Sequence, residues 1–212
     1  KNKVLPLVDL GVQALHELEF HAAPPAGGRY VYYPGTTEVS EAIAARTLGS
    51  SFKIFAEVVF TGGTQGIICS QGSRFGGYAL FVKGGKLTFV YNFLGVPPEQ
   101  RLTTDAPKPG KHIVGVEFAK ESISKNLECL GKMTLYVDDK PVDSGKFRIQ
   151  TGHYALCGEG LCIGYDSGDA VSADYKGKFP FSSGRIIKVI YDVATDVYVD
   201  VERQMAAALA RD

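Results

Sequence analysis

The chain has 212 residues, with 23 Lys and Arg balanced by 23 Asp and Glu, for a formal net charge of zero. The charges are scattered, which excludes the basic patch that nucleic acid or anionic lipid needs in order to displace counterions. No apolar run is long enough to span a bilayer, and the length suits one large all-β domain, or one domain plus arms, with enough chain to bury a substantial core.

Residues 1–28 read as a connector. An apolar stretch surrounds Pro6, and Pro24-Pro25 followed by Ala26-Gly27-Gly28 is a linker signature. The chain opens at Lys1 with no initiator methionine and no charged-then-apolar leader, as expected of a fragment or processed product. Residues 29–33 (RYVYY) predict a strand stopped by Pro34-Gly35. From Ser51 the strand signals come quickly. Residues 52–60 alternate, placing Phe52, Ile54, Ala56 and Val58 on one face. Residues 66–70 follow an expected turn at Gly62-Gly63. Residues 78–82 and 86–93 predict a hairpin closed by Gly84-Gly85, a dipeptide that supplies two positive φ angles. Aromatic residues fall on both sides of the alternation here. Residues 99–104 are a weaker, edge-like candidate, and residues 112–118 follow the turn at 107–110. Residues 132–137 and 142–149 form a second hairpin turning at Asp138-Asp139, and residues 161–165 and 184–193 supply the last strands.

Short strands with turns and no intervening helices predict an antiparallel β-sandwich over residues 29–193. The long loops favour a concanavalin A-like or laminin-G-like jelly roll. The tail, 194–212, differs: Val197, Val201, Met205 and Leu209 recur every four residues among alanines, predicting an amphipathic C-terminal helix over 200–211.

The four cysteines match no zinc pattern. Cys69 lies in an apolar strand. Cys157 and Cys162 flank Gly-Glu-Gly and either bridge that loop or stay reduced; a reduced, cytoplasmic setting is the expectation. Asp166, Asp169 and Asp174 crowd one loop. Carboxylates with glycine can hold a hard cation such as Ca²⁺, but the spacing is not that of an EF-hand, and acidic loops are usually solvated turns. His16, His21, His112 and His153 show no triad or metal spacing, and no G-x-S-x-G or P-loop frame occurs. Gln71, Arg74, Tyr91 and Asn92 lie on or beside the central strands. They either converge on an exposed sheet face, to bind a sugar or a partner loop, or satisfy local backbone groups. Trp is absent, so a glycan site would rest on Tyr or Phe. Glu57 and Glu117 lie in strands, yet nothing pairs them across a groove as a glycoside hydrolase requires.

Several blocks carry a family resemblance: Arg29-Tyr-Val-Tyr-Tyr-Pro-Gly35, Gln71-Gly-Ser-Arg-Phe-Gly-Gly-Tyr78, Tyr91-Asn-Phe-Leu-Gly95, the segment 164–175 and FPFSSGRIIKV at 179–189. In order and spacing, over roughly residues 28–192, they resemble the domain that follows the catalytic domain in bacterial arylsulfatases. The resemblance implies a parent that hydrolyses sulfate esters with a formylglycine and a divalent cation such as Ca²⁺. The C/S-x-P-x-R motif from which formylglycine is made is absent at Cys69, Cys129, Cys157 and Cys162, so no catalytic residue and no metal ligand is carried over. The expected role is non-catalytic: packing on an N-terminal sulfatase domain and shaping its cleft. The alternative is a lectin-like module that binds carbohydrate or a sulfated substrate.

Overall fold

The computed structural model describes residues 27–152, 154 and 159–196. The predicted connector (Gly27 and Gly28 excepted), the predicted C-terminal helix beyond Asp196, His16, His21, His153 and Cys157 lie outside the described residues.

The strands, in chain order, are β1 (Gly28–Tyr32), β2 (Phe52–Ser73), β3 (Gly76–Lys83), β4 (Lys86–Asn92), β5 (Gln100–Asp105), β6 (Gly110–Ile123), β7 (Cys129–Val137), β8 (Lys140–Ile149), β9 (Leu161–Ile163) and β10 (Ser182–Val193). Every pairing among them is antiparallel. One sheet runs β1-β10-β2-β6-β7-β8, and the other runs β9-β2-β3-β4-β5. The all-β antiparallel sandwich expected from the alternation is the fold.

The two sheets share β2. Its first part, residues 52–60, pairs with β6 and β10; its last part, residues 66–73, pairs with β3 and β9. The turn expected at Gly62-Gly63 is therefore not a reversal: the chain bends and continues in the same direction from one sheet into the other. Hydroxyls hold the bend. Thr61 and Thr64 both donate through Oγ1 to the Ser183 carbonyl at 2.5 Å. The glycine that the crossing requires is Gly66, at φ 107°, where a Cβ would collide with the backbone of Pro180 and Phe181.

The core lies between the sheets and follows the period of two along each strand. Phe52, Ile54, Ala56, Val58 and Phe60 point inward from β2 and are buried. They meet Leu80, Val82, Leu87 and Phe89 of the opposite sheet in one cluster. Phe52 stacks on its cross-strand partner Phe118 at 5.6 Å, and Phe89 reaches Phe147 of the other sheet at 6.4 Å. A second, smaller cluster lies on the outer face of β2-β3-β4. Ile67, Ala79, Phe81 and Val90 are covered there by Val171 and Tyr175 from the segment between β9 and β10. That cover explains the aromatics on both sides of β3, Tyr78 inward and Phe81 outward, and leaves β3 and β4 buried on both faces.

Three cysteines, Cys69, Cys129 and Cys162, are free and buried. Cys157, the other cysteine of the loop whose bridging the spacing left open, lies outside the described residues. Burial pushes the Cys69 thiol up to about 12 and the Cys129 thiol up to about 11, so both stay protonated and behave as small apolar side chains.

Candidate functional site

The polar residues singled out on the central strands do not share a surface. A β-bulge between Ile67 and Cys69 puts Ile68 and Cys69 both into the main core and reverses the alternation that follows. Gln71 therefore faces inward, buried, and its Oε1 accepts from the Tyr78 hydroxyl at 3.0 Å. Tyr91 also points inward; its hydroxyl accepts the Gln150 N–H at 2.8 Å. Asn92 is on the outer face but is sealed under the covering segment. Its Nδ2 donates to the carbonyls of Arg74 and Val171, and its Oδ1 accepts the Gly95 N–H at 2.9 Å. Arg74 alone of the four is exposed. It lies 4.7 Å over the Phe75 ring and pairs with Asp169 at 3.1 Å.

The three aspartates of the 164–175 loop also go separate ways. Asp166 is buried and accepts from the Ser70 hydroxyl (2.9 Å), the Tyr175 hydroxyl (2.5 Å) and the Ser167 and Val171 N–H groups (both 3.1 Å). Burial holds its carboxyl above the usual carboxylate range in spite of these donors. Asp169 is taken by Arg74, and Asp174 by Arg101 at 3.0 Å. The loop therefore presents no shared oxygen cage. Among the described residues, no group of three or more His, Cys, Asp or Glu is placed to hold a metal. Its built role is to clamp the covering segment onto the sheet, with Asp166 as the pin.

The strand carboxylates and the described histidine are likewise engaged. Lys111 and Lys188 hold Glu57, and Lys111 lowers its carboxyl below the usual range. Lys53 (3.1 Å) and the Tyr136 hydroxyl (3.2 Å) hold Glu117. His112 Nδ1 lies 3.0 Å from Asp138 Oδ2, at the surface.

Among the described residues, an open groove of about 720 Å³ lies beside the turn after β1. Pro34, Tyr165, Lys178, Phe181, Arg185 and Ile186 are among its walls, and among the described residues no carboxylate lines it. Its frame is tied by backbone bonds. Asp166 N–H donates to the Lys178 carbonyl and Phe181 N–H to the Gly164 carbonyl, both at 2.8 Å, and Ile67 N–H donates to the Phe179 carbonyl at 3.0 Å. Phe179 and Ser183 sit in the left-handed region, at φ 35° and 51°, a strained state that persists only where the surroundings enforce it. Lys178 Nζ lies 5.9 Å from the Tyr165 ring centroid. Sequence reasoning missed this site because its walls come from residues 34–35, 163–165, 178, 180–181 and 184–186. Three of the blocks that carry the family resemblance meet here, and that meeting was the one available signal.

No protein-family model matches the chain, and no curated protein matches it in sequence. Among solved structures, the receptor-binding domain of botulinum neurotoxin D is similar at 7% identity and a TM-score of 0.42, over 89% of this chain and 43% of that one. Domains LG4-5 of the mouse laminin α1 chain are similar at 14% identity and a TM-score of 0.42, over 81% of this chain and 41% of that one. The binding domain of botulinum neurotoxin DC, in complex with SialylT, is similar at 9% identity and a TM-score of 0.41, over 86% and 46%. This chain thus spans less than half of each. At this level the likeness is one of architecture, and no function passes from these proteins to this chain.

Proposed function

We propose that this chain is a non-catalytic, lectin-like β-sandwich module, of the concanavalin A-like or laminin-G-like jelly-roll kind, that binds carbohydrate in the groove walled by Tyr165, Lys178, Phe181 and Arg185. The groove itself carries this reading. Its volume, about 720 Å³, lies in the range of small-ligand pockets, about 300–1,000 Å³. It combines aromatic side chains with exposed hydrogen-bond donors, which is the equipment a site without Trp needs for a sugar ring and its hydroxyls. The carboxylates weighed for chemistry, Glu57, Glu117 and Asp166, are all committed to partners elsewhere. The test is a glycan array probed with the 212-residue chain, followed by calorimetric titration of the best-bound member. Saturable binding that Tyr165→Ala weakens is expected; an array with no member above background overturns the reading.

A second reading is favoured by a different surface. Phe75, Leu94 and Val96 are large apolar side chains about half exposed, at 51%, 54% and 47%. Gly95 packs on the backbone of Arg74 and Phe75, so the two loops adjoin. An exposed apolar cluster of this kind marks an interaction surface. It suits the module of an arylsulfatase that packs on an N-terminal sulfatase domain, the domain that would hold the formylglycine and its cation. In the parent polypeptide, Phe75→Asp with Leu94→Asp should lower the melting temperature of the catalytic domain. An upstream sequence without C/S-x-P-x-R ends this reading.

A further inference from the structure

The groove brings two cations together in one recess. The chain is formally neutral, and many of its surface cations sit on carboxylates: Lys53 on Glu117, Lys111 and Lys188 on Glu57, Arg74 on Asp169, Arg101 on Asp174 and Arg148 on Glu128. Lys178 and Arg185 line one recess, and among the described residues neither has a carboxylate partner. Glu38 is the nearby acid that acts on Tyr165, but its Oε1 is taken by the Gly160 N–H at 2.6 Å. Two cations in a recess attract anions more strongly than the same charges on a flat surface.

Resting on the reading of the groove as a saccharide site, we propose that its ligand is an anionic saccharide, with a sulfate ester as the preferred group, recognised by Arg185 and Lys178. A guanidinium offers paired N–H donors to two oxygens of one anion. A carboxylate is satisfied by that contact alone. A sulfate ester has a third terminal oxygen, which the ammonium of Lys178 can take. The position of Lys178 over the Tyr165 ring restrains that ammonium before the ligand arrives. The segment bearing both cations is fixed as well. The Ser183 carbonyl is held by Thr61 and Thr64, and Phe179 by Ile67, so little ordering cost remains for binding.

The experiment is calorimetric titration of the 212-residue chain with three probes: a heparin-derived tetrasaccharide, the same tetrasaccharide chemically desulfated but retaining its carboxylates, and neutral maltotetraose. The sulfated probe should bind at least about tenfold more tightly than the desulfated one. Arg185→Ala and Lys178→Ala should each weaken it about tenfold, the loss of one charge-assisted contact. Arg185→Lys should recover only part of that loss, because an ammonium cannot bind bidentately. Lys125→Ala, at an exposed turn away from the groove, should leave binding unchanged. Both groove side chains are exposed, so unaltered melting temperatures should accompany these losses, and Arg185→Glu should abolish binding outright. Equal affinity for the sulfated and desulfated probes, or wild-type affinity in Arg185→Ala and Lys178→Ala, overturns the anionic assignment. If Tyr165→Ala still weakens binding in that case, the saccharide reading stands without it. No binding of any probe, together with a blank array, overturns both.

Discussion

Asp166 shows how much one side chain can hold when it is buried with its donors. Its two oxygens accept from Ser70, Ser167, Val171 and Tyr175, and through them join β2 to the segment that seals the outer face of the second sheet. Asp166→Ala strands several of those donors out of water. We expect a loss of about 2–4 kcal/mol in urea unfolding, with faster hydrogen exchange at the Val171 amide. The pH dependence has a definite sign. Burial raises this carboxyl above its unfolded value, so the folded state binds the proton more tightly. The stabilisation from that proton is complete below the ordinary carboxylate pKa and is lost as pH rises through the raised value. The stability difference between wild type and Asp166→Asn should therefore narrow as pH rises above the ordinary carboxylate range, about pH 4; a difference that widens counts against the assignment. Gly66 makes a similar argument for backbone. With φ at 107° and the Pro180 carbonyl where a Cβ would stand, Gly66→Ala should cost about 2 kcal/mol or more. Gly62→Ala, with no heavy atom within 4 Å of the added carbon, should change the melting temperature little.

Among the elements, the long strand β2 and the β3–β4 hairpin define the architecture. The hairpin needs left-handed backbone at both turn positions, and Gly84 and Gly85 take φ of 57° and 75°. Replacing the pair by Asn-Gly should be tolerated. Replacing it by Ala-Ala should destabilise by about 1–2 kcal/mol, since alanine resists the left-handed region; thermal unfolding monitored by circular dichroism reads both. The covering segment between β9 and β10 is the second decisive element. It buries Phe81 and Val90 under Val171 and Tyr175, and it carries Tyr165, Lys178 and Phe181 to the groove. The same stretch of chain thus completes a core and builds the recess.

For the molecule as a whole, stability comes from apolar packing between the sheets, and the binding surface is left to what that packing does not use. Phe89 is fully buried between Tyr78 and Phe147. Phe89→Ala should cost about 3–5 kcal/mol, whereas Phe75→Ala, at a half-exposed ring, should stay within about 0.5 kcal/mol of wild type. Among the described residues, no helix is long and apolar enough to cross a membrane.

The strands and hairpins were legible from the residues alone because they rest on local physics. Alternation with a period of two decides which face of a strand is apolar, and glycines at forced φ angles decide where a hairpin turns. Phe52, Ile54, Ala56 and Val58 face the core as their spacing predicts. The edge-like reading of residues 99–104 corresponds to β5, the last strand of its sheet. Other features depended on partners distant in sequence. The bend at Gly62-Gly63 continues rather than reverses because β10 supplies a carbonyl to hold it. A single bulge after Ile67 turns Gln71 from the surface into the core. Asp166, Asp169 and Asp174, crowded in sequence, are pulled apart by Tyr175, Arg74 and Arg101. The groove exists only once Tyr165, Lys178 and Arg185 are brought together by the antiparallel return of β10. Periodicity is written in neighbouring residues, but a charge left unpaired in a recess is a property of the whole packed chain.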